Sequence, residues 1–198
     1  NVAMNKGGYA SFDDVMKKGK NPLSVEDFET IAENTDALIL DTRGAADFHK
    51  GFIPNSINIG LKGDFAPWVG AMIVDVKQPI ILVSDAGTEE EVITRLSRVG
   101  FDNVLGYLDG SFEAWKNAGK ETDEVKRISP QEFADTFKAE DKVIDVRKIG
   151  EYSAEHINDA YHRPLAEISE WVDSIDDTEH FFLHCAGGYR SMIAASIF

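Results

Sequence analysis

Cys185 is the only thiol in the chain. The stretch HFFLHCAGGYRSMIAA, His180 to Ala195, runs an apolar strand into it. Ala186, Gly187, Gly188, Tyr189, Arg190 and Ser191 follow, and then an apolar helix begins. In a strand–turn–helix of this kind, successive backbone N–H groups point inward and form an anion-binding nest. The helix N-terminus adds partial positive charge, and Arg190 adds a full one. Each favours thiolate over thiol, so Cys185 is expected to titrate below the roughly 8.5 of a free cysteine. Gly187 and Gly188 admit φ > 0 and remove side chains that would block a close approach. The chemistry that fits is nucleophilic attack by sulfur on a small anionic substrate. A lone cysteine ending a core strand is ordinarily a buried hydrophobe. Here the glycines and the arginine set it apart.

His184 precedes Cys185 and, by strand alternation, points away from it, so a Cys–His catalytic pair is not expected. The sequence holds no His/Cys cluster with metal-ligand spacing, so neither a metal nor a cofactor is expected.

Acidic side chains outnumber basic ones, 35 to 20, for a net charge of −15. Such a surface repels phosphate backbones and anionic lipid, which argues against nucleic-acid and membrane partners. An anionic substrate would need a local positive site to overcome that field. Hydrophobic residues at 43% are enough for real cores, and 198 residues suit one large or two small domains. No apolar run reaches the roughly 18 residues of a membrane span, and no leader is visible. A single cysteine excludes an intrachain disulfide framework, so the cytoplasm is the expected location. The chain opens on Asn1, as a fragment or a processed product would.

The elements that must position Cys185 occur twice. LSVEDFETIAENTDALILDTRGAADFHKGFIPNSINIGL, from Leu23, matches ISPQEFADTFKAEDKVIDVRKIGEYSAEHINDAYHRPL, from Ile128. Asp41 pairs with Asp145, Arg43 with Arg147, Phe48 with Tyr152, Ile53 with Ile157 and Leu61 with Leu165. All share an offset of 104 residues (145 − 41 for the aspartates). A constant offset of that size marks duplicated domains. Ser24 with Asp27, and Ser129 with Glu132, have the spacing of helix-capping boxes. The runs before Asp41 and Asp145, and the runs PIILVS and HFFLHC, are continuous and apolar, as strands buried on both faces should be. DNVLGYL predicts a further strand, and SFEAWKNAG a helix ended by Gly119. The fold class is therefore α/β: two domains, each a small, mostly parallel sheet flanked by helices.

The expected boundaries are a lead-in over 1–22, with a short helix around Phe12 to Met16, and a first domain over 23–120. A charged linker over 121–127 and a second domain over 128–198 follow. About thirty residues follow the glycine turn in the first copy, but the second stops at Phe198 soon after Arg190, so that copy is expected to lack a strand and a closing helix. Asp41, Ser84, Asp145 and Cys185 fall at carboxyl ends of strands, where such sheets place functional residues.

DVRKIGEYSAEHI, the following PL and HCAGGYRS together resemble the rhodanese (sulfurtransferase) family. That family carries a D-x-R strand end, an E-[FY]-x-x-x-H-I stretch and an active loop from cysteine to arginine. The resemblance implies a persulfide on Cys185, passed to a thiol or cyanide, so the partners it implies are a small sulfur donor and a thiol acceptor. It implies that the backbone N–H groups from Ala186 to Ser191 cradle the transferred sulfur and the substrate's anionic end. Asp145 and Arg147 would support the pocket, either as an ion pair fixing the sheet end or by adding positive potential. His156 would lie near the pocket wall, and Tyr189 would gate the pocket or cover an apolar wall. Loops of six residues, as from Cys185 to Arg190, are those of the sulfurtransferases; related phosphatases use a longer one.

The first copy lacks the nucleophile. Aligning the strands sets Ser84 opposite Cys185, Asp85 opposite Ala186 and Glu89 opposite Arg190; sliding by one puts Asp85 or Glu90 in those places, and no slide supplies a thiol or an arginine. Asp85, Glu89, Glu90 and Glu91 then surround the position where the other copy presents its thiol, and should repel sulfane anions. Two readings follow. One is an active sulfurtransferase or persulfide carrier. The other is a non-catalytic accessory or interaction tail of a larger enzyme. NVAMNKGGYASF resembles the junction in proteins where a metallo-β-lactamase-fold domain, a hydrolase or persulfide dioxygenase, precedes rhodanese-like copies.

Overall fold

The structure is a computed structural model and describes residues 11–138, 140–176 and 180–198. The junction resemblance over residues 1–12 falls almost wholly outside them.

In chain order the first elements are α1 (Phe12–Gly19), β1 (Pro22–Leu23), α2 (Val25–Asn34), β2 (Leu38–Asp41), α3 (Ala45–Phe48) and β3 (Ile57–Asn58). Then come α4 (Phe65–Met72), β4 (Ile80–Val83), α5 (Glu89–Ser97), β5 (Val104–Leu108) and α6 (Ser111–Asn117). The second half carries α7 (Pro130–Thr136), β6 (Lys142–Asp145), α8 (Ile149–Ala154), β7 (Tyr161–His162), α9 (Ile168–Trp171), β8 (Phe181–His184) and α10 (Tyr189–Ala195). Short 3₁₀ turns flank α9 at Leu165–Glu167 and Val172–Ser174. No helix among the described residues is long and apolar enough to cross a membrane.

The caps form as their spacing requires. Ser24 Oγ accepts the Asp27 N–H at 3.1 Å. Ser129 Oγ accepts the Glu132 N–H at 3.1 Å while Glu132 Oε2 accepts the Ser129 N–H at 2.7 Å, a full capping box. The first sheet has the order β1-β5-β4-β2-β3 and the second β7-β6-β8. All the strand pairs with a determined register are parallel.

The chain forms two compact units. One takes the residues up to Gly44 together with Ile59–Thr122. In it all four residues of β4 are fully buried, as are Phe28, Leu40, Val92, Ile93 and Leu96. The helix expected around Phe12 to Met16 runs on to Gly19 and is part of this unit. Val15 is buried, and a Cβ on Gly19 would sit 3.1 Å from Ile93, so that glycine permits the contact of α1 with α5.

The other unit takes Ala45–Asn58 and Asp123–Phe198. Phe48 and Phe52 stack at 4.3 Å, and the pair packs on Met192 of α10, with Ala45 and Val125 beside it. The Asn58 N–H donates to Ser196 Oγ at 2.9 Å. Asp123 and Phe52 exchange two backbone hydrogen bonds, at 2.9 and 3.0 Å, and the Val125 N–H donates to His49 O. The charged stretch 121–127 thus carries ordered backbone pairs. Phe133 of α7 meets Phe182 of β8 edge-on at 5.0 Å. β8 corresponds to β4, but its four residues are only half-buried, and among the described residues it is an edge of its sheet.

Candidate active site

Register sets the site. Asp41 lies opposite Val83, and Asp145 opposite His184. One residue further along are Ser84 and Cys185. The glycine with positive φ also falls at the same distance in each copy, Gly87 (φ +84) and Gly188 (φ +86). Strand bounds and turn therefore agree on the pairing of Ser84 with Cys185 and of Glu89 with Arg190. The left-handed backbone at Gly188 is one that a side chain would strain.

That turn folds three groups back onto sulfur. The Gly188 N–H donates to Cys185 Sγ at 3.1 Å, and the Ser191 N–H at 3.4 Å. Ser191 Oγ lies 3.5 Å from Sγ. Burial pushes the thiol's pKa up. The Ser191 hydroxyl and the amides of Ser191, Gly187 and Gly188 outweigh it, and the net shift is downward. The thiolate is thus favoured by hydrogen bonds fixed in the loop.

Arg190, expected to favour the thiolate by its charge, has a carboxylate partner as well. Its guanidinium forks onto Glu151 of α8, Nη1 to Oε2 at 2.6 Å and Nη2 to Oε1 at 2.7 Å. Glu151 is held down to about 2, chiefly by the Arg190 hydrogen bonds, so the pair is ionised at neutral pH. The pKa of Arg190 is raised, first by the Glu151 hydrogen bonds, and Cys185 adds to the rise, so its charge also acts on the thiol. Arg190 thus fastens the start of α10 to α8 as well. Glu151 lies in the E-Y-x-x-x-H-I stretch, and the sequence reading gave it no role; its position in that motif beside a loop arginine was the available signal.

Asp145 and Arg147 form a closed fork. The Arg147 N–H donates to Asp145 Oδ1 at 2.9 Å, Nε donates to both carboxylate oxygens, and Nη2 reaches Oδ2 at 2.6 Å. Arg147 Nη2 also donates to Glu155 O. Burial pushes Asp145 up, but the bonds from Arg147 and the nearby His184 leave it below the usual carboxylate range. His184 Nε2 lies 3.4 Å from Asp145 Oδ2, and desolvation lowers its pKa, which favours the neutral ring. His156 caps its own helix, Nδ1 to Tyr152 O at 2.8 Å. Its ring stacks on Tyr152, which stacks in turn on His162. Ala186 and Gly187 complete the turn, and Tyr189 is half-buried at the start of α10. Among the described residues no group of His, Cys, Asp and Glu could hold a metal ion.

A second cation stands at this loop. A Cβ placed on Gly188 would lie 3.1 Å from Arg127 Nη2 and 3.7 Å from its Cζ, so the guanidinium rests against the glycine whose N–H bonds Sγ. The sequence reading left Arg127 in the linker.

The rhodanese-like domain family matches residues 24–118 and again 129–198. The chain belongs to the rhodanese-like domain family. A curated relative, "Putative sulfur carrier protein YrkF" of Bacillus subtilis (strain 168), is 26% identical over 82 residues, 40% of this chain and 44% of that protein. The match thus spans less than half of the relative's length. Among solved structures, the rhodanese-like domain of the Anabaena sp. Alr3790 protein is 18% identical, with a TM-score of 0.47 over 55% of this chain and 83% of that one. Thiosulfate sulfurtransferase from Pseudomonas aeruginosa is also 18% identical, with a TM-score of 0.43 over 90% of this chain and 41% of that one.

Proposed function

We propose that this rhodanese-like protein is a sulfurtransferase or persulfide carrier that takes sulfane sulfur onto Cys185. The observation that carries the reading is the pair of backbone N–H groups, of Gly188 and Ser191, that donate to Sγ, with the Ser191 hydroxyl 3.5 Å from it. They favour the thiolate, and after transfer they can serve the anionic outer sulfur of a persulfide. Family membership and the sulfur-carrier name of the Bacillus relative support the same reading. With thiosulfate as donor, the Cys185 thiolate attacks the outer sulfur. An Sγ–S bond forms, the S–S bond of thiosulfate breaks, and its electron pair leaves with sulfite. A thiolate or cyanide then attacks the outer sulfur of the persulfide and regenerates the Cys185 thiolate. No metal or cofactor is required by either step, and the partners are the donor and a thiol acceptor.

The test is intact mass after incubation with thiosulfate. A gain of one sulfur, about 32 Da, that reductant removes is expected for the native chain and not for Cys185→Ser. A gain of the same size in Cys185→Ser would overturn the assignment.

A further inference from the structure

Arg190, the cation expected to bind an anionic substrate at this loop, has its N–H fork taken by Glu151, although its charge still acts on Cys185. Arg147 is likewise occupied by Asp145. The chain nevertheless carries a net charge of −15, so a sulfane anion approaching Cys185 has to be offset locally. Arg127 meets that need. It is exposed, and it forms no ion pair within 4.0 Å among the described residues. Its guanidinium lies against Gly188, whose N–H bonds Sγ at 3.1 Å. The neighbouring backbone is tied down: Val125 is in the Phe48–Phe52–Met192 cluster and bonded to His49, and Ser129 caps α7. Arg127 therefore leaves an ordered stretch of chain.

We infer that Arg127 is the receptor for the anionic head of the sulfur donor, the sulfonate oxygens of a thiosulfate-class molecule. This rests on the reading of Cys185 as the sulfur acceptor. A guanidinium presents a planar fork of N–H donors that matches two oxygens of a sulfonate or carboxylate. Gly188 would then serve twice, its N–H on the reacting sulfur and its bare Cα face against the arginine. A side chain there would displace the arginine as well as strain the turn. When the S–S bond of the donor breaks, sulfite carries the departing pair, and Arg127 is positioned to hold the charge that accumulates on it.

Two alkylating agents of the same shape separate this site from thiol reactivity. Iodoacetamide is neutral and reports the thiolate alone. Iodoacetate adds a carboxylate and reports a cation beside it. In each case the thiolate displaces iodide from carbon. For Arg127→Gln on the full chain we expect the iodoacetate rate to fall about tenfold, the scale of one charge-assisted contact, with the iodoacetamide rate unchanged within about twofold. Arg127→Lys should lie between, because it keeps the charge and loses the fork. The KM for thiosulfate should rise with the iodoacetate effect. An unchanged ratio of the two alkylation rates in Arg127→Gln would overturn the receptor, whatever thiosulfate does. A ratio that falls in a protein that thiosulfate never loads would keep the anion site and overturn its assignment to a sulfur donor.

Discussion

Asp41 with Arg43, and Asp145 with Arg147, close the same fork to within 0.2 Å in every shared contact. Yet one fork supports a loop with a thiol and the other a loop with carboxylates. The fork therefore does not select the chemistry. It ties the end of a strand to the turn after it, and both copies need that. What differs is the loop and its surroundings. Both aspartates are fully buried, but the pKa of Asp41 is pushed up, by burial first and with Asp85 adding to the rise. Asp145 has His184 opposite it where Asp41 has Val83, and its pKa is held down, despite burial, by the bonds from Arg147 and by His184. Ser84 itself is 3% exposed, so the first copy combines a buried hydroxyl with an acidic loop.

The sharpest break of this comparison moves the thiol. Ser84→Cys in a Cys185→Ser background should alkylate with iodoacetamide at least about tenfold more slowly than Cys185 does. Burial and the carboxylates of Asp85, Glu89, Glu90 and Glu91 oppose a thiolate there. A rate equal to that of Cys185 would show that the fork and turn suffice without the loop's own residues.

Next in size is the fork. Asp41→Asn removes one partner of a pair whose side chains are 0% and 8% exposed, and should cost about 3–5 kcal/mol in urea unfolding followed by tryptophan fluorescence. Asp145→Asn should cost less, because Arg147 is 17% exposed and can regain water. The reverse order would mean that the thiol-bearing copy depends more on its fork.

The smallest effects concern the thiol's titration. Cys185 has a lowered pKa, so the stabilisation that its thiolate adds is present above the unfolded value and lost as pH falls through the folded one. The midpoint of iodoacetamide alkylation against pH should therefore lie below about 8.5. Ser191→Ala should raise that midpoint by removing the hydroxyl. Glu151→Gln should lower it by releasing the charge of Arg190. No movement in Glu151→Gln would mean that Glu151 does not moderate the charge that Arg190 exerts on the sulfur. In the native chain the Glu151–Arg190 pair should be unaffected by pH between about 5 and 8. Glu151 titrates at about 2, so the contribution of the pair is full above the ordinary carboxylate range and fades only in strong acid.

Much of this was readable from local pattern. Leu38–Asp41, Ile80–Val83 and Phe181–His184 are strands because continuous apolar runs suit a sheet covered on both faces. The capping serines and the glycine turn followed from spacing of three and from φ. β1 was missed because it is two residues long and begins with a proline, which an edge tolerates. The partners of Arg190 and the position of Arg127 were missed for another reason. Each depends on residues 39 and 61 positions apart, Glu151 with Arg190 and Arg127 with Gly188. Charge counted along a loop does not reveal a carboxylate that arrives from a different helix. The allegiance of Ala45–Asn58 was hidden because its sequence repeats perfectly well in the first copy, while its aromatic rings settle elsewhere.

That last feature bears on inheritance. Duplication wrote two copies in tandem, end to end. The folded bodies are not divided where the copies are, because Phe48 and Phe52, encoded in the first copy, line the core beside Met192. A recombination event or a proteolytic nick at the seam between repeats would separate the body holding Cys185 from two of its aromatic core residues. The natural seams of this chain are therefore three, near Gly44, Ile59 and Asp123, and shuffling at only one of them delivers half a body. A pair of copies tied together in this way is expected to be inherited as a pair, which gives a copy without a thiol a reason to persist.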